Sequence, residues 1–264
     1  MAKKNEGWEG WDDYAPFYDW ENARTLGRRD VAFWRRLAQR QTGPILELGC
    51  GTGRILAPLA RTGARIVGID RSGPMLARAA RRTRTGALVR GDIRRLPFAA
   101  ATFSAVFAPY GVLQSLLSDR DLSATLDSVT TVLRPGGLFA IDLVPDVPEW
   151  REYRNRTQLQ GPAAGGAHLT LIESVKQDRR RRVTTFEQRY VVRRGREARE
   201  HRFELAFRTL PVRQMTNRLE RRGFTIDRIL GDYRGRPWDE RADVWIIISH
   251  LRRGPTPTPD TLGP

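Results

Sequence analysis

The stretch Pro44–Ala60, PILELGCGTGRILAPLA, constrains the fold more than any other part of the chain. A short apolar run ends at Leu48, and glycines follow at alternate positions, Gly49, Gly51 and Gly53, before a segment of helical character. Alternate glycines let the backbone take positive φ and let a ligand approach with no Cβ in the way. The helix that follows offers unpaired N–H groups and a partial positive charge to an anionic ligand group. A strand, a glycine turn and a helix in that order open a βα unit. On its own the pattern also fits an ordinary strand-to-helix turn.

The next hundred residues continue the alternation. Arg65–Ile69, Ala87–Arg90, Phe103–Ala108 and Leu138–Val144 read as strands. Arg54–Arg61, Pro74–Arg82 and Leu122–Leu133 read as helices, the last stopped by Pro135-Gly136-Gly137. Upstream, Val31, Trp34, Leu37 and Ala38 mark another amphipathic helix. Strands alternating with helices predict a parallel sheet covered on both faces. From His168 the pattern changes: His168–Lys176, Val183–Arg193 and Glu200–Leu210 are rich in β-branched and aromatic residues with partial alternation, as antiparallel hairpins are. Helix character returns at Pro211–Arg222, followed by strands at Phe224–Leu230 and Ala242–His250. The expectation is an α/β, Rossmann-like domain over 1–145 and 211–252, an inserted antiparallel β lid over 146–210, and a disordered Pro/Thr-rich tail over 253–264.

Composition narrows the class. With 40% hydrophobic residues in 264, a real core is available, and no apolar run approaches the roughly 20 residues a membrane helix needs. The N-terminus MAKKNEGWEGWDDY lacks the apolar region of a secretory signal, so the expectation is a cytoplasmic protein. Cys50 is the single cysteine, and His168, His201 and His250 are not paired at ligand spacing, so no metal site is expected. The net charge of +16 raises the question of nucleic acid. Lysine occurs only at Lys3, Lys4 and Lys176, and the arginines are spread over nearly every element, which suits a coding bias better than a binding stripe.

Asp70 ends the second strand, 21 residues beyond Gly49, where doubly wound folds place an acid that accepts from ribose hydroxyls; it could also merely cap the next helix. Gly91-Asp92-Ile93 follows the third strand, suited to an adenine amine and its ring. A dinucleotide fingerprint would require G-x-G-x-x-G, but here the third glycine comes after one residue and Arg54 stands next, which argues against hydride transfer.

Together these residues resemble the class I S-adenosylmethionine (SAM)-dependent methyltransferase family. ELGCGTG is similar to that family's first motif, including the acid Glu47, and Leu133–Leu143 (LRPGGLFAIDL) is similar to the segment leading into its fifth strand. The resemblance implies SAM as cofactor, with Glu47, Gly49, Gly51, Gly53, Asp70, Arg71, Met75, Asp92, Ile93 and Ala108 around it. It further implies a lead helix over the cofactor from the aromatic stretch Trp11–Asp19, with Tyr14 and Tyr18 on one face, and a seven-stranded, mostly parallel sheet whose last strand is antiparallel.

The acceptor is narrowed by exclusion. Pyrimidine C5 chemistry needs a cysteine nucleophile, and Cys50 lies inside the glycine turn. The Asn/Asp-Pro-Pro-aromatic tetrapeptide of base-amine and glutamine methylation is absent, since Ala108-Pro109-Tyr110-Gly111 stands there. The lid resembles that of amino-sugar and glycine-type N-methyltransferases. Methyl transfer to N or O of a small polar or anionic metabolite is expected, enclosed under the lid. Tyr110 and His201 are the catalytic candidates, with Glu173, Glu187 and Tyr233 as further possible bases. Arg179–Arg182 is read as a solvated turn or a clamp for an anion. An RNA-modifying enzyme and a non-catalytic SAM-binding module remain the rival readings.

Overall fold

The computed structural model describes residues 10–25, 29–144 and 152–253. Helices α1 (Trp11–Arg24) and α2 (Val31–Gln39) precede β1 (Ile45–Leu48), α3 (Leu56–Ala60), β2 (Ile66–Asp70), α4 (Gly73–Arg82), β3 (Ala87–Arg90), β4 (Phe103–Ala108), α5 (Asp119–Val132) and β5 (Leu133–Leu143). Then come β6 (Tyr153–Pro162), β7 (His168–Asp178), β8 (Val183–Arg194), β9 (Glu197–Arg208), α6 (Val212–Glu220), β10 (Phe224–Leu230) and β11 (Trp245–Leu251).

Seven strands form one sheet in the order β10-β11-β5-β4-β1-β2-β3. β1 pairs in parallel with both β2 and β4, while β11 runs antiparallel to β5 and β10. The central strands are buried on both faces, which is why their sequences read as continuous apolar runs. One face packs Leu122, Leu126 and Val129 of α5 and Met215 and Leu219 of α6. The other packs Phe33, Trp34 and Leu37 of α2 and Leu56 and Leu59 of α3. After β1 the chain moves one way to β2 and β3, and later the other way to β4 and β5. The glycine turn therefore sits where the strand order reverses, the place where such sheets open a crevice at their carboxyl ends.

The second sheet is antiparallel, in the order β6-β7-β8-β9. β6 is an addition to the sequence reading. Its sequence, YRNRTQLQGP, carries few apolar residues and is largely exposed, and its pairing with β7 is interrupted twice by register shifts. An edge strand of that kind has no buried face to write an alternation into the sequence. The inner face of this sheet packs on α1: Tyr14 and Phe17 meet Leu171, Tyr190 and Leu205 in one buried cluster. Helix α3 begins later than the apolar pattern suggests, because Gly51–Ile55 are used up in turns. The proposed tail at 253–264 lies outside the described residues except for Arg253, and so does the start of the lid before residue 152.

Candidate active site

The glycine turn is held open by backbone geometry. Gly49, Gly51 and Gly53 all have left-handed φ, at 58, 52 and 76°, where a side chain would be strained. A Cβ on Gly49 would stand 2.3 Å from Val112 Cγ2, so that glycine is needed for packing. A Cβ on Gly51 would meet nothing nearer than the Gly49 carbonyl at 3.9 Å, so its face is open. The Gly51 N–H donates to Asp70 Oδ2 at 2.8 Å, and Ser72 N–H donates to Oδ1 at 2.8 Å. Burial raises the Asp70 carboxyl and those N–H groups partly hold it down. Ser72 also caps α4 by accepting from Met75 N–H at 3.2 Å.

Asp92, beyond β3, is forked by the Arg94 guanidinium, with Nη2 to Oδ2 at 2.9 Å, and Arg71 Nη1 lies 3.3 Å from the same oxygen. Against the cost of partial burial, the Arg94 bonds and the Arg71 charge keep this carboxyl below its usual range. Arg94 also reaches Asp121 of α5 at 2.9 Å. Glu47 is 2% exposed, its Oε2 has no hydrogen-bond partner, and burial pushes it up to about 8.

Helix α1 is strapped across this turn. Thr52 Oγ1 donates to Asp19 Oδ1 at 2.7 Å, Arg82 Nη2 meets Asp19 Oδ2 at 2.6 Å, and Arg82 Nη1 donates to Thr52 Oγ1 at 2.9 Å. Trp11 and Tyr18 of the strapped helix line one cleft with Gly49, Gly51 and Asp70, and Phe207 of the second sheet joins them.

At the cleft's other end, Tyr110 and Gly111 both take left-handed φ, 59 and 62°. Asp142, fully buried in β5, fixes this turn: its Oδ1 and its carbonyl both accept from Gly111 N–H, at 3.0 and 3.2 Å, and Oδ2 accepts from Tyr233 at 2.8 Å. Burial pushes Asp142 up to about 6 despite those donors. The Tyr110 ring lies 6.5 Å from Tyr18 and 5.1 Å from the Arg54 guanidinium, which is itself forked by buried Asp30 at 2.6 and 2.7 Å.

Residues 45–137 match the model of a methyltransferase domain. Over that segment the chain carries a SAM-dependent methyltransferase domain. It is 35% identical over 129 residues to a demethylmenaquinone methyltransferase of Corynebacterium kroppenstedtii, a match covering 47% of this chain and 53% of that protein. The chain thus spans about half the length of the curated relatives it matches. Its fold is similar to that of a SAM-dependent methyltransferase from Clostridium acetobutylicum, with TM-score 0.76, 16% identity, and coverage of 91% of this chain and 99% of that one. A sugar N-methyltransferase, KedS8 of Streptoalloteichus, matches with TM-score 0.74 and 16% identity, over 90% of this chain and 93% of that one. At such identities the structures speak for the fold, which here includes the second sheet.

The cleft brings together Tyr18, Gly49, Gly51, Asp70, Arg71, Met75, Asp92, Ile93 and Tyr110 among the residues singled out from sequence. Tyr14, Glu47, Gly53 and Ala108 are not in its lining; Tyr14 is turned into the α1–sheet interface, and Ala108 is buried in β4. His201 is exposed on β9, 5.0 Å from Phe17, and lines a separate hollow with Arg194, Glu197 and Arg199. Of the other base candidates, Glu187 pairs with Lys176 and Tyr233 serves Asp142. The cleft also contains Trp11, from the aromatic stretch expected over the cofactor, and Arg94, Val112, Leu116, Asp121 and Phe207, which the sequence does not assign to it. Arg94 had a local signal, two residues from Asp92; Phe207 had none, since only the fold brings β9 to the cleft. The residues fit SAM, the family's cofactor: the Gly51 face is open, the Glu47 oxygen is buried with no partner, and each Asp70 oxygen keeps a lone pair beyond its N–H bond. Among the described residues there is no group of three His, Cys, Asp or Glu able to hold a metal.

Proposed function

We propose that this chain transfers a methyl group from SAM to an N or O atom of a small polar acceptor held between the sheet's carboxyl edge and the second sheet. One observation carries the reading: the open Gly51 face and the Asp70 carboxylate meet at the switch point of the sheet, in a cleft lined by Trp11 and Tyr18. SAM supplies a methyl carbon made electrophilic by its sulfonium. The chain's own part is to bind and aim. The glycine turn receives the cofactor's backbone-facing side, Asp70 accepts from its hydroxyls, and Asp92 with Ile93 flanks its base, Asp92 being kept ionised by Arg94. The Asp142–Gly111 bonds hold Tyr110 at the edge where an acceptor would approach. Holding lone pair, carbon and leaving sulfur in line is worth several kcal/mol, and an aromatic lining excludes water from the exchange.

The arginines behind the expectation of an anionic acceptor do not face this cleft. Arg189 and Arg202 lie on the outer face of the second sheet, both with Glu200, and Arg179–Arg182 form its exposed β7–β8 turn. The same reading takes 146–210 as the substrate-covering region and the protein as cytoplasmic.

Incubation with methyl-tritiated SAM and separate pools of small metabolites, RNA and protein tests the proposal. Label in the small-molecule pool is expected. Label in RNA alone would replace it with the RNA-modifying reading, and no label in any pool would leave a binding module.

A further inference from the structure

The interface between α1 and the second sheet is aromatic and aliphatic except for one island. Gln188 of β8 donates through Nε2 to Glu173 Oε2 at 3.0 Å, and the same nitrogen lies 3.5 Å from Glu21 Oε1 of α1. Glu21 Oε2 accepts from Tyr14 at 2.5 Å and from Tyr190, and Glu173 Oε1 accepts from Tyr153. All of these donors are neutral. Among the described residues no Lys or Arg forms an ion pair with either carboxylate, although the chain carries 46 such cations. Two carboxylates sharing one amide in a buried setting need either a proton or a cation. Burial, opposed by the tyrosines and reinforced by the Glu173 charge, raises the Glu21 carboxyl accordingly.

A second observation is independent of that charge. Gln188 is 4% exposed, and its Oε1 has no hydrogen-bond partner. The island therefore holds surplus acceptors and no spare donor: Gln188 Oε1, and Glu21 Oε1 with only its long contact. Its position is also informative. Tyr18 lines the cleft, and Glu21, three residues further along α1, stands one helical turn behind it, beside Tyr14 and outside the lining itself. Glu21 remains partly exposed, and its charge, after burial, is the leading influence raising the Tyr110 hydroxyl. Tyr110 and Val144, at the sheet's carboxyl edge, are the exposed large apolar residues among those described.

We propose that Glu21, backed by Glu173 and Gln188, is a subsite that takes an ammonium group of the methyl acceptor. This rests on the methyltransferase reading and makes it more specific. An ammonium brings three donors and one positive charge to a site with surplus acceptors and uncompensated negative charge. A carboxylate-bearing acceptor would meet repulsion at the same place. The acceptor's charge is thus opposite to what the chain's net charge suggests: Arg189 and Arg202 pair with Glu200 on the outer face of the second sheet, and Arg71, Arg94 and Arg54 beside the cleft are taken up by Asp92 and Asp30.

The full chain is incubated with methyl-tritiated SAM and a defined mixture of amines, amino sugars, hydroxy acids and neutral sugars, and products are resolved by ion exchange at pH 7. Label is expected among the cations. For the labelled acceptor, Glu21→Gln should raise KM at least tenfold while the SAM Kd, measured by calorimetry on the same sample, stays unchanged and reports an intact fold. Glu21→Asp should recover part of the loss, and Glu173→Gln should act in the same direction more weakly. Label among anions or neutral products overturns the subsite, as does an unchanged KM in Glu21→Gln, or no product at all from a protein that binds SAM. Failure of the wild type to bind SAM would instead overturn the methyltransferase reading itself.

Discussion

In the seven-stranded sheet, β1, β4 and β5 bury both faces, whereas β7, β8 and β9 bury one face on α1 and give the other to water. The first region is held mainly by aliphatic and aromatic side chains, its buried Glu47 and Asp142 lying at the strand ends that face the cleft. The second mixes aromatic rings with buried Glu173, Gln188 and Thr184, and covers its outer face with paired charges. Continuous burial specifies a fold and a shared cofactor cleft. A half-polar interface leaves room for something else, and here its polar part is the island around Glu21 for which an ammonium is proposed above.

The largest expected effect contrasts the two regions in stability. Phe139 is fully buried in β5 and packs 5.7 Å from Phe224; Phe139→Ala should cost about 3–5 kcal/mol in urea unfolding. Phe203 is only half-buried on β9, and Phe203→Ala should cost roughly half as much or less. Equal costs would mean that the second sheet is as tightly determined as the first.

A pH series sharpens the comparison next. The folded Asp142 carboxyl, at about 6, stands above its unfolded value of 3.8. Its contribution is therefore fully present below the unfolded value and is lost as pH rises through about 6. The loss should be on the order of 2–3 kcal/mol at full ionisation. In Asp142→Asn the amide can still accept from Gly111 and donate to Tyr233, so the variant should lack this fall and be the more stable protein at pH 7. Parallel pH profiles for the two proteins would show that Asp142 does not titrate in this window.

Smaller effects follow at the strap. Asp19 holds Thr52 and Arg82 at a site where its side chain is 27% exposed. Removing a part-exposed pair costs about 1 kcal/mol, so Asp19→Ala should weaken SAM binding roughly fivefold by calorimetry; no change would mean that α1 covers the cofactor without the strap. Smallest of all, Arg202, 76% exposed on the outer face, should be replaceable by Ala with less than about 0.5 kcal/mol lost and no change in transfer rate. A large loss of transfer would return the arginines to the acceptor site.

The parts of the molecule legible in its sequence are those where one rule dominates. β1, β4 and β5 show as apolar runs because they are buried on both faces, and the Gly49–Gly53 turn shows because left-handed φ admits little else. β6 is not legible, since an exposed edge strand carries no alternation. Asp70 and Asp92 are legible from their places at the ends of strands, but Arg94's grip on Asp92, Asp142's hold on the Tyr110 turn and Phe207 in the cleft lining come from tertiary contacts. Glu21 is not legible for a further reason: its partners, Gln188 and Tyr190, belong to strands more than a hundred residues away, and nothing in the local sequence of α1 marks it.

Calorimetric titration of SAM into the wild type and Asp70→Ala asks whether the Gly49–Gly53 turn and Asp70 hold the cofactor. Loss of hydrogen bonds to a charged acceptor is worth about 1.5–3 kcal/mol. Clear binding to the wild type is expected, with a Kd raised by roughly tenfold to a hundredfold in the variant. An Asp70→Ala protein that is folded and binds SAM as tightly as the wild type would contradict it.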